Sequence, residues 1–333
     1  MTDRPLVSVV TPVYNTANFL AECIESVLAQ SYRNFDYVIV NNCSTDDSLA
    51  IARHYASRDS RIRIVDNATF LTQPQNYNHA LRQIAPQSRY CKVVEADNWL
   101  FPACLEEMVQ VAEGDPRIAM VGAYQLEGTW IGCQGLECAR RDPPYTVIEG
   151  RDACRLFFLK RRYLFGTPTC LLYRSDLVRS KAAFYREDSL FEDSEVCFEL
   201  LGGHLFGFVH QVLTFTRVGN PSIRTDTADL GLDPLHDYLV TKLYGPLHLD
   251  VDEQERLLSQ ARYAYHRTLT AQVFRRRGAR FWDFHREGFR MAGDVLDRRL
   301  MMRMQFRRLL DILGNPLSTV GSARAWLRAK FGS

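Results

Sequence analysis

The sequence predicts an α/β protein: an open, mostly parallel sheet followed by a helical appendage. Three observations predict it. Short apolar, β-branched runs alternate with segments of helical periodicity through the first two-thirds of the chain. The residues just past several of these runs are unusually polar, where an open α/β sheet carries its ligands. Beyond about Leu235 the strand-like runs stop, and Gly278, Gly293 and Gly314-Asn315-Pro316 punctuate almost continuous helix. With 333 residues, 46% hydrophobic and 24% charged, the chain can build one large domain with an appendage or two domains, and disorder is excluded as its main state. Its 41 basic and 39 acidic side chains leave a formal +2, so the total implies no nucleic-acid partner.

Residues 6–10 form the first strand, ending at Thr11-Pro12. Phe19, Leu20, Cys23, Ile24, Val27 and Leu28 then recur at helical spacing, with Asn15, Thr16 or Asn18 available as cap. Residues 35–40 are a second strand. The polar turn 41–47 follows, and its Ser44 or Thr45 can cap a helix running to about Tyr55. A strand at 61–65, a helix at 75–84, a strand at 91–94, a helix at 101–113 and a strand at 118–121 repeat the unit, as right-handed crossovers require. Four Gly or Pro residues in 129–149 suit an irregular, substrate-facing loop. Further helix and strand material at 151–159, 171–180, 192–201 and 206–216 carries the core to about Arg224, giving domains at 1–225 and 226–333.

Nine cysteines, none in a Cys-x-x-Cys pair, read as reduced thiols in a cytoplasmic protein. Neither an apolar signal core nor an uninterrupted apolar stretch of ~18 residues occurs, so the expectation is a chain neither exported nor membrane-spanning.

At the strand ends, Thr11, Tyr14 and Asn15 follow the first strand, Asn41, Asn42 and Ser44 the second, and Glu95, Asp97 and Asn98 the fourth. Neither Gly-x-Gly-x-x-Gly nor the P-loop pattern occurs, which disfavours a Rossmann dehydrogenase or P-loop kinase. Tyr14 in the Pro-Val-Tyr-Asn turn can stack on a base, and the Asn41-Asn42 amides can offer acceptor and donor to a base edge, which suits a nucleoside. In Glu95-Ala96-Asp97-Asn98, hard oxygen ligands of this kind hold Mg²⁺ or Mn²⁺ on a diphosphate, with Asp97 the preferred metal ligand; the alternative is that Asp97 or Asn98 caps the following helix. Glu192, Asp193 and Glu195 open an apolar helix, either as a charge-stabilised helix start worth ~0.3–1 kcal/mol or as a source of the general base.

In this order the segments resemble the family 2 glycosyltransferases of the GT-A fold, over roughly residues 5–220. Residues 7–15 resemble the family's opening strand and loop, Ala29-Gln30-Ser31-Tyr32 with residues 35–40 its next helix end and strand, and Asn78 with Ala80-Leu81 its Asn-bearing helix. Glu95-Ala96-Asp97-Asn98 falls on the Asp-x-Asp metal motif and Glu192-Asp193 on the Glu-Asp motif whose Asp is the usual base. The resemblance implies a GT-A nucleotide-diphospho-sugar transferase fold and inverting transfer from a nucleoside-diphosphate sugar, UDP or dTDP favoured, to an acceptor hydroxyl in glycan or glycoconjugate synthesis. It implies Asp193 as base, Asp97 on Mg²⁺ or Mn²⁺, Thr11, Pro12, Tyr14, Asn15, Asn41, Asn42, Asn78, Glu95 and Ala96 around the nucleotide, and Glu192 and Trp99 near the sugar or acceptor. The sequence departs from the pattern: Asn41-Asn42 replaces an acidic pair, the metal motif begins with Glu and ends with Asn98, and Arg217-Val218-Gly219 lacks a histidine. These departures motivate a second reading, a nucleotide-sugar-binding pseudoenzyme or assembly partner. A nucleotidyltransferase is more distant, because its glycine- and arginine-rich first loop is absent.

Residues 260–333 hold 16 basic and 5 acidic side chains, a net +11, leaving −9 for residues 1–259. Arg275, Arg276, Arg277, Arg298, Arg299, Arg303, Arg307 and Arg308 alternate there with Phe, Trp, Leu and Met. A basic helix with an apolar face suits an anionic membrane surface at the inner face of a membrane, near a lipid-linked acceptor; equally, such spacings suit packing against other helices or a second subunit.

Overall fold

The computed structural model describes residues 4–128, 130–132, 144–189, 191–219, 230–273 and 277–314. Cys133, Cys138, Phe274, Arg275, Arg276 and the middle of the 129–149 segment lie outside them. The chain divides into two compact units, Met1–Pro221 and Ser222–Ser333.

The first unit is built on a ten-stranded sheet. β1 (Val7–Val13) is buried along its whole length, as a strand covered on both faces must be, and this is why it reads as a continuous apolar run. It pairs in parallel with β2 (Phe35–Asn41), from Val7↔Phe35 to Val13↔Asn41, and on its other side with β4 (Tyr90–Val93), from Val7↔Tyr90 to Val10↔Val93. β3 (Ile62–Asp66) runs parallel to β2. These registers bring the ends of four strands to one edge of the sheet. Beyond β4 the order continues through β9 (Leu171–Arg174), antiparallel to both neighbours, to β6 (Ile118–Glu127) and the parallel β10 (Leu205–Thr216). β5 (Trp99–Leu100) and β8 (Tyr145–Glu149) lie antiparallel on β10, and β7 (Trp130–Gly132) on β6. The two longest ladders, β1 with β2 and β6 with β10, are parallel.

α1 (Ala17–Leu28) buries Leu20, Cys23, Ile24 and Val27, the predicted stripe, each branched residue contributing roughly 1.5–3 kcal/mol. Thr16 stands at its N-cap but makes no side-chain cap; Ala17 N–H donates instead to Asp46 Oδ2 (2.9 Å), and Thr16 N–H to Ser48 Oγ (2.9 Å). The same Asp46 accepts Ser48 N–H through Oδ1 (3.0 Å), so one carboxylate ties together the starts of α1 and α2 (Ser48–Ala56), where Ser44 or Thr45 was the expected cap.

Other boundaries also differ from expectation. α3 (Gln73–Leu81) starts two residues earlier than predicted because Thr72 and Gln75 form a capping box with Pro74 in the first turn. α4 (Cys104–Ala112) starts later, since β10 recruits Trp99 and Leu100 as β5 and holds Phe101 N–H on Leu213 O at 2.9 Å. Thr11 and Pro12 belong to β1 rather than to the loop after it. The segment expected to be irregular contributes β7 and β8 at its ends, because β6 and β10 outrun their neighbours and offer backbone to pair. Gly150 opens α5 (Gly150–Lys160); a Cβ there would collide with the carbonyl oxygens of His204 and Leu201. α6 (Ser175–Arg179) and α7 (Glu192–Leu200) complete the unit.

The second unit is helical: α8 (Leu232–Leu243), α9 (Gly245–His248), α10 (Val251–Val273), α11 (Ala279–Met291) and α12 (Arg298–Gly314). Its core stacks Tyr265 on Phe289 (centroids 4.9 Å apart) and on Tyr238 (5.6 Å). Polar groups are buried with them. Tyr265 OH and His285 Nδ1 are 2.6 Å apart, while His266 Nδ1–H donates to Arg262 O (2.8 Å) and its Nε2 accepts Asp297 N–H (3.1 Å), which fixes a neutral imidazole.

Burial pushes the His285 imidazole down to about 4 and also holds His266 below the ordinary range. The unfolded chain takes up these protons near pH 6.5 and the folded chain resists them, so the stability they contribute is complete above about pH 6.5 and is lost as pH falls toward 4. Guanidinium titrations at pH 7 and pH 5 should show a loss for the wild type that exceeds that of His285→Phe by about 2 kcal/mol; equal losses would exclude His285 as a source of acid sensitivity.

Candidate active site

The carboxyl edge of β4 carries the acidic motif. Val94 N–H still reaches Val10 O (2.9 Å); then Asn98 N–H turns back to Glu95 O (2.9 Å) and the chain leaves the sheet. The Glu95 carboxylate is held at both oxygens: Oε1 accepts Tyr77 OH (3.3 Å), and Oε2 accepts Asn98 Nδ2 (2.9 Å) and the Thr169 hydroxyl (3.0 Å). Burial, with the charges of Asp97 and Asp193 adding, nevertheless raises Glu95 to about 7, against the downward pull of Thr167 and Thr169. Asp97 is half-buried, and its carbonyl accepts Arg217 Nε (3.1 Å). Arg217 N–H also donates to Asn98 Oδ1 (2.9 Å), and its Nη2 pairs with Glu22 (2.6 Å). In place of the histidine absent after it, Arg217 itself braces the motif.

α7 brings Glu192 and Asp193 to the same place: with Gln73, Tyr77, Glu95, Pro168 and Tyr185 they line one cleft. Burial raises Glu192 to about 8, with Asp193, Glu195 and Glu95 adding to the shift. Glu195, the third acid of the helix start, is separate: it is buried, and Arg186 approaches it at 3.6 Å. Thus Glu95, Glu192 and Asp193 face one space, and the Asp97 charge acts on Glu95 and Tyr77 from beside it. A roomier cavity lies at the opposite edge of the sheet among Arg89, Tyr90, Pro116, Arg174, Asp176 and Arg179. Its cations are engaged by Glu113, Asp176 and the Ser88 carbonyl, and it has none of this chemistry.

The remaining expected residues are distributed unevenly along the edge. Tyr14 is 47% exposed and meets the 57%-exposed Phe70 edge-on at 4.9 Å. Asn15, at φ 51°, accepts Thr45 N–H (2.8 Å) and so fastens the first loop to the second. The side chain of Thr11 is not at the edge: it is fully buried, with its hydroxyl 2.9 Å from Tyr37 OH. Pro12 and Ala96 are buried as well.

The asparagines are tied into the protein by hydrogen bonds. Asn42 accepts Leu71 N–H (2.9 Å) and Asn67 Nδ2 (3.1 Å) and donates to Leu71 O (2.8 Å), clamping the loop that carries Phe70. Asn78 brackets Tyr185, accepting its N–H (2.9 Å) and donating to its carbonyl (2.8 Å) and to Glu187 (3.1 Å). Asn41 donates to Asp66 Oδ1 (2.7 Å). These amides satisfy buried backbone and side-chain groups. Trp99 stacks flat on Phe215 at 3.5 Å beside the Arg217 guanidinium and is not among the residues lining the cleft.

Sequence reasoning missed Asp66, Phe70, Tyr77 and Thr169. Asp66 ends β3, so the strand-end rule could have found it; Phe70 is an apolar residue stranded in a polar loop. Nothing local marks Tyr77 or Thr169.

The family model for glycosyl transferase family 2 matches residues 8–180, more than half of the chain. Among curated relatives, the uncharacterized glycosyltransferase EpsJ of Bacillus subtilis is 34% identical over 195 residues, 56% of this chain and 55% of EpsJ. The glycosyltransferase GlyG of Streptococcus pneumoniae is 29% identical over 121 residues, 36% of this chain and 39% of GlyG. The chain therefore spans about half or less of the length of these relatives. Among solved structures, TarS 1–349 of S. aureus in complex with UDP-GlcNAc superposes with a TM-score of 0.60 at 17% identity, covering 80% of this chain and 76% of that one. The mannosyltransferase PcManGT of Pyrobaculum calidifontis, in complex with GDP-Man and Mn²⁺, gives 0.52 at 17% identity over 95% and 88%. The fold is that of the GT-A glycosyltransferases, and the chain belongs to glycosyltransferase family 2.

Proposed function

We propose that this chain moves a sugar from a nucleoside-diphosphate sugar, UDP or dTDP favoured, to an acceptor hydroxyl with inversion at the anomeric carbon, in glycan or glycoconjugate synthesis. The observation that carries the reading is the convergence of Glu95, Glu192 and Asp193 on one cleft, with Asp97 adjoining. In a single displacement the acceptor oxygen bonds to the anomeric carbon as the bond to the diphosphate breaks, and the hydroxyl proton passes to a carboxylate. Glu192, raised to about 8, already holds a proton at neutral pH, which leaves Asp193 as the acceptor of that proton.

The crowding of acids fits a divalent cation. Among the described residues no three His, Cys, Asp or Glu side chains form a ready-made metal cage, so Asp97 would hold Mg²⁺ or Mn²⁺ together with diphosphate and water oxygens. When bound, the ion would offset the charge growing on the leaving diphosphate. The Tyr14 and Phe70 rings offer faces to a base, and the Asp66 carboxylate, steadied by Asn41, can accept the imide N–H of uracil or thymine. Similar folds have been solved with UDP-GlcNAc and with GDP-Man and Mn²⁺, which supports a nucleotide-sugar partner.

Residues 1–225 carry this chemistry, and residues 226–333 a contact with membrane or subunit. No described helix is long and apolar enough to cross a membrane. α12, however, exposes Met302, Phe306, Leu309 and Leu310 among the exposed Arg298, Arg299, Arg303 and Arg307, a face that would rest on anionic headgroups at the inner face of a membrane, close to a lipid-linked acceptor.

Release of nucleoside diphosphate from a donor panel with Mn²⁺ should fall about 10²–10⁴-fold in Asp193→Asn and less than about 10-fold in Glu192→Gln at neutral pH. The reverse order would transfer the base role to Glu192, and nucleotide binding without turnover on any donor would favour a binding protein. In flotation assays, full-length protein should rise with anionic vesicles and not with zwitterionic ones, and Arg299→Glu/Arg303→Glu should abolish the difference; equal recovery from both lipids would exclude electrostatic docking.

A further inference from the structure

Lys92 lies within β4, three residues before Glu95, and is fully buried. An ammonium taken out of water without partners costs several kcal/mol, and an ammonium has three N–H donors to place. Three acceptors surround it: the carbonyls of Thr169 (2.7 Å) and Leu171 (3.2 Å) and the sulfur of Met108 (3.6 Å). Among the described residues no carboxylate pairs with it. Its hold is on the 3₁₀ turn Pro168–Cys170 and the residue that follows it.

That turn is also part of the cleft. Pro168 lines it, and the Thr169 hydroxyl accepts the Glu95 amide (3.0 Å) and Asn98 Nδ2 (3.3 Å) while donating to Glu95 Oε2 (3.0 Å). One hydroxyl has one proton and two lone pairs, so all of its capacity is spent on the acidic motif, and its direction depends on where the turn backbone is fixed. The two ends of Thr169 therefore do different things: its carbonyl is gripped by Lys92 and its side chain sets Glu95 and Asn98.

We infer that Lys92 is a positioning residue for sugar transfer: it fixes the 168–171 backbone, so that the Thr169 hydroxyl orients Glu95 and Asn98 and Pro168 shapes the wall beside Asp193. This rests on the cleft being the transfer site. Lys92 touches neither substrate nor reacting atoms, and it acts through Thr169.

The test uses full-length Lys92→Met, Thr169→Val, Thr169→Ser and the double variant Lys92→Met/Thr169→Val. With rates normalised to folded protein, Lys92→Met and Thr169→Val should each lower kcat/KM at least about 10-fold. Thr169→Ser, which keeps the hydroxyl, should stay within about 3-fold, and the double variant should be no worse than the poorer single. Lys92→Gln, which keeps N–H donors without the charge, is the second variant should Lys92→Met not fold. Wild-type kcat/KM in folded Lys92→Met, or losses that multiply in the double variant, would overturn the inference and leave a lysine that serves stability alone. Hydrogen exchange reads the same device without turnover: the Glu95 amide should exchange at least about 10-fold faster in Lys92→Met while amides of β1 are unchanged. An unaltered Glu95 amide overturns the inference, whereas a wild type inactive on every donor overturns only the transfer reading.

Discussion

Carboxylates gathered at one partly buried edge repel one another, and the rest of the site is arranged around that constraint. Two like charges 4 Å apart at an effective dielectric of about 20 repel by about 4 kcal/mol. Protons relieve part of this: burial first, and the neighbouring charges in addition, raise Glu95 to about 7 and Glu192 to about 8. Hydrogen-bond donors relieve another part: Tyr77, Asn98 and Thr169 all converge on Glu95. An anionic diphosphate approaching such an edge would be repelled unless a cation came with it or some acids stayed protonated. Burial and crowding together thus account for the raised acids, and the crowding also motivates the ion proposed at Asp97.

Seen in this light, the asparagines that break the family pattern are consistent with one another. Positions 41, 42 and 98 border the acidic edge, and at each an amide adds a donor where a carboxylate would add charge. Asn98 donates to Glu95, Asn41 to Asp66 and Asn42 to the Leu71 carbonyl. The edge has fewer charges and more internal ties as a result. A base that presents an N–H must then look elsewhere for an acceptor, and Asp66, on the strand next to β2, is where the proposed function finds one.

Periodicity and apolar runs made α1, α2 and the parallel strands β1 to β4 legible, because each buries a face whose spacing shows in the sequence. β5 and β8 were not legible. Each is short, and each exists because β10 offers an open backbone edge far away in sequence. The carboxylates of the cleft could be read from strand ends and from the acidic start of α7, since chain topology alone carries those positions to one edge. What the neighbouring polar groups do there could not be read. Asn78 grips Tyr185 across 107 residues, Thr169 meets Glu95 across 74, and Lys92 meets Thr169 across 77. An amide that reads a base and an amide that clamps a loop are identical in sequence; only the tertiary partner distinguishes them.

Ionic strength acts differently on the two kinds of charge in this chain. Arg298, Arg299, Arg303 and Arg307 of α12 are exposed, so any attraction they exert is screened within about 8 Å at physiological salt. Lys92 is fully buried and the acids of the cleft are partly so, and there screening is weaker and a hydrogen bond keeps more of its strength. The formal +2 of the whole chain hides this division, since it sums −9 over residues 1–259 with +11 beyond them. Surface charge of this kind can tune where the protein resides without disturbing a site whose geometry is set by buried contacts, because the two depend on salt in different degrees.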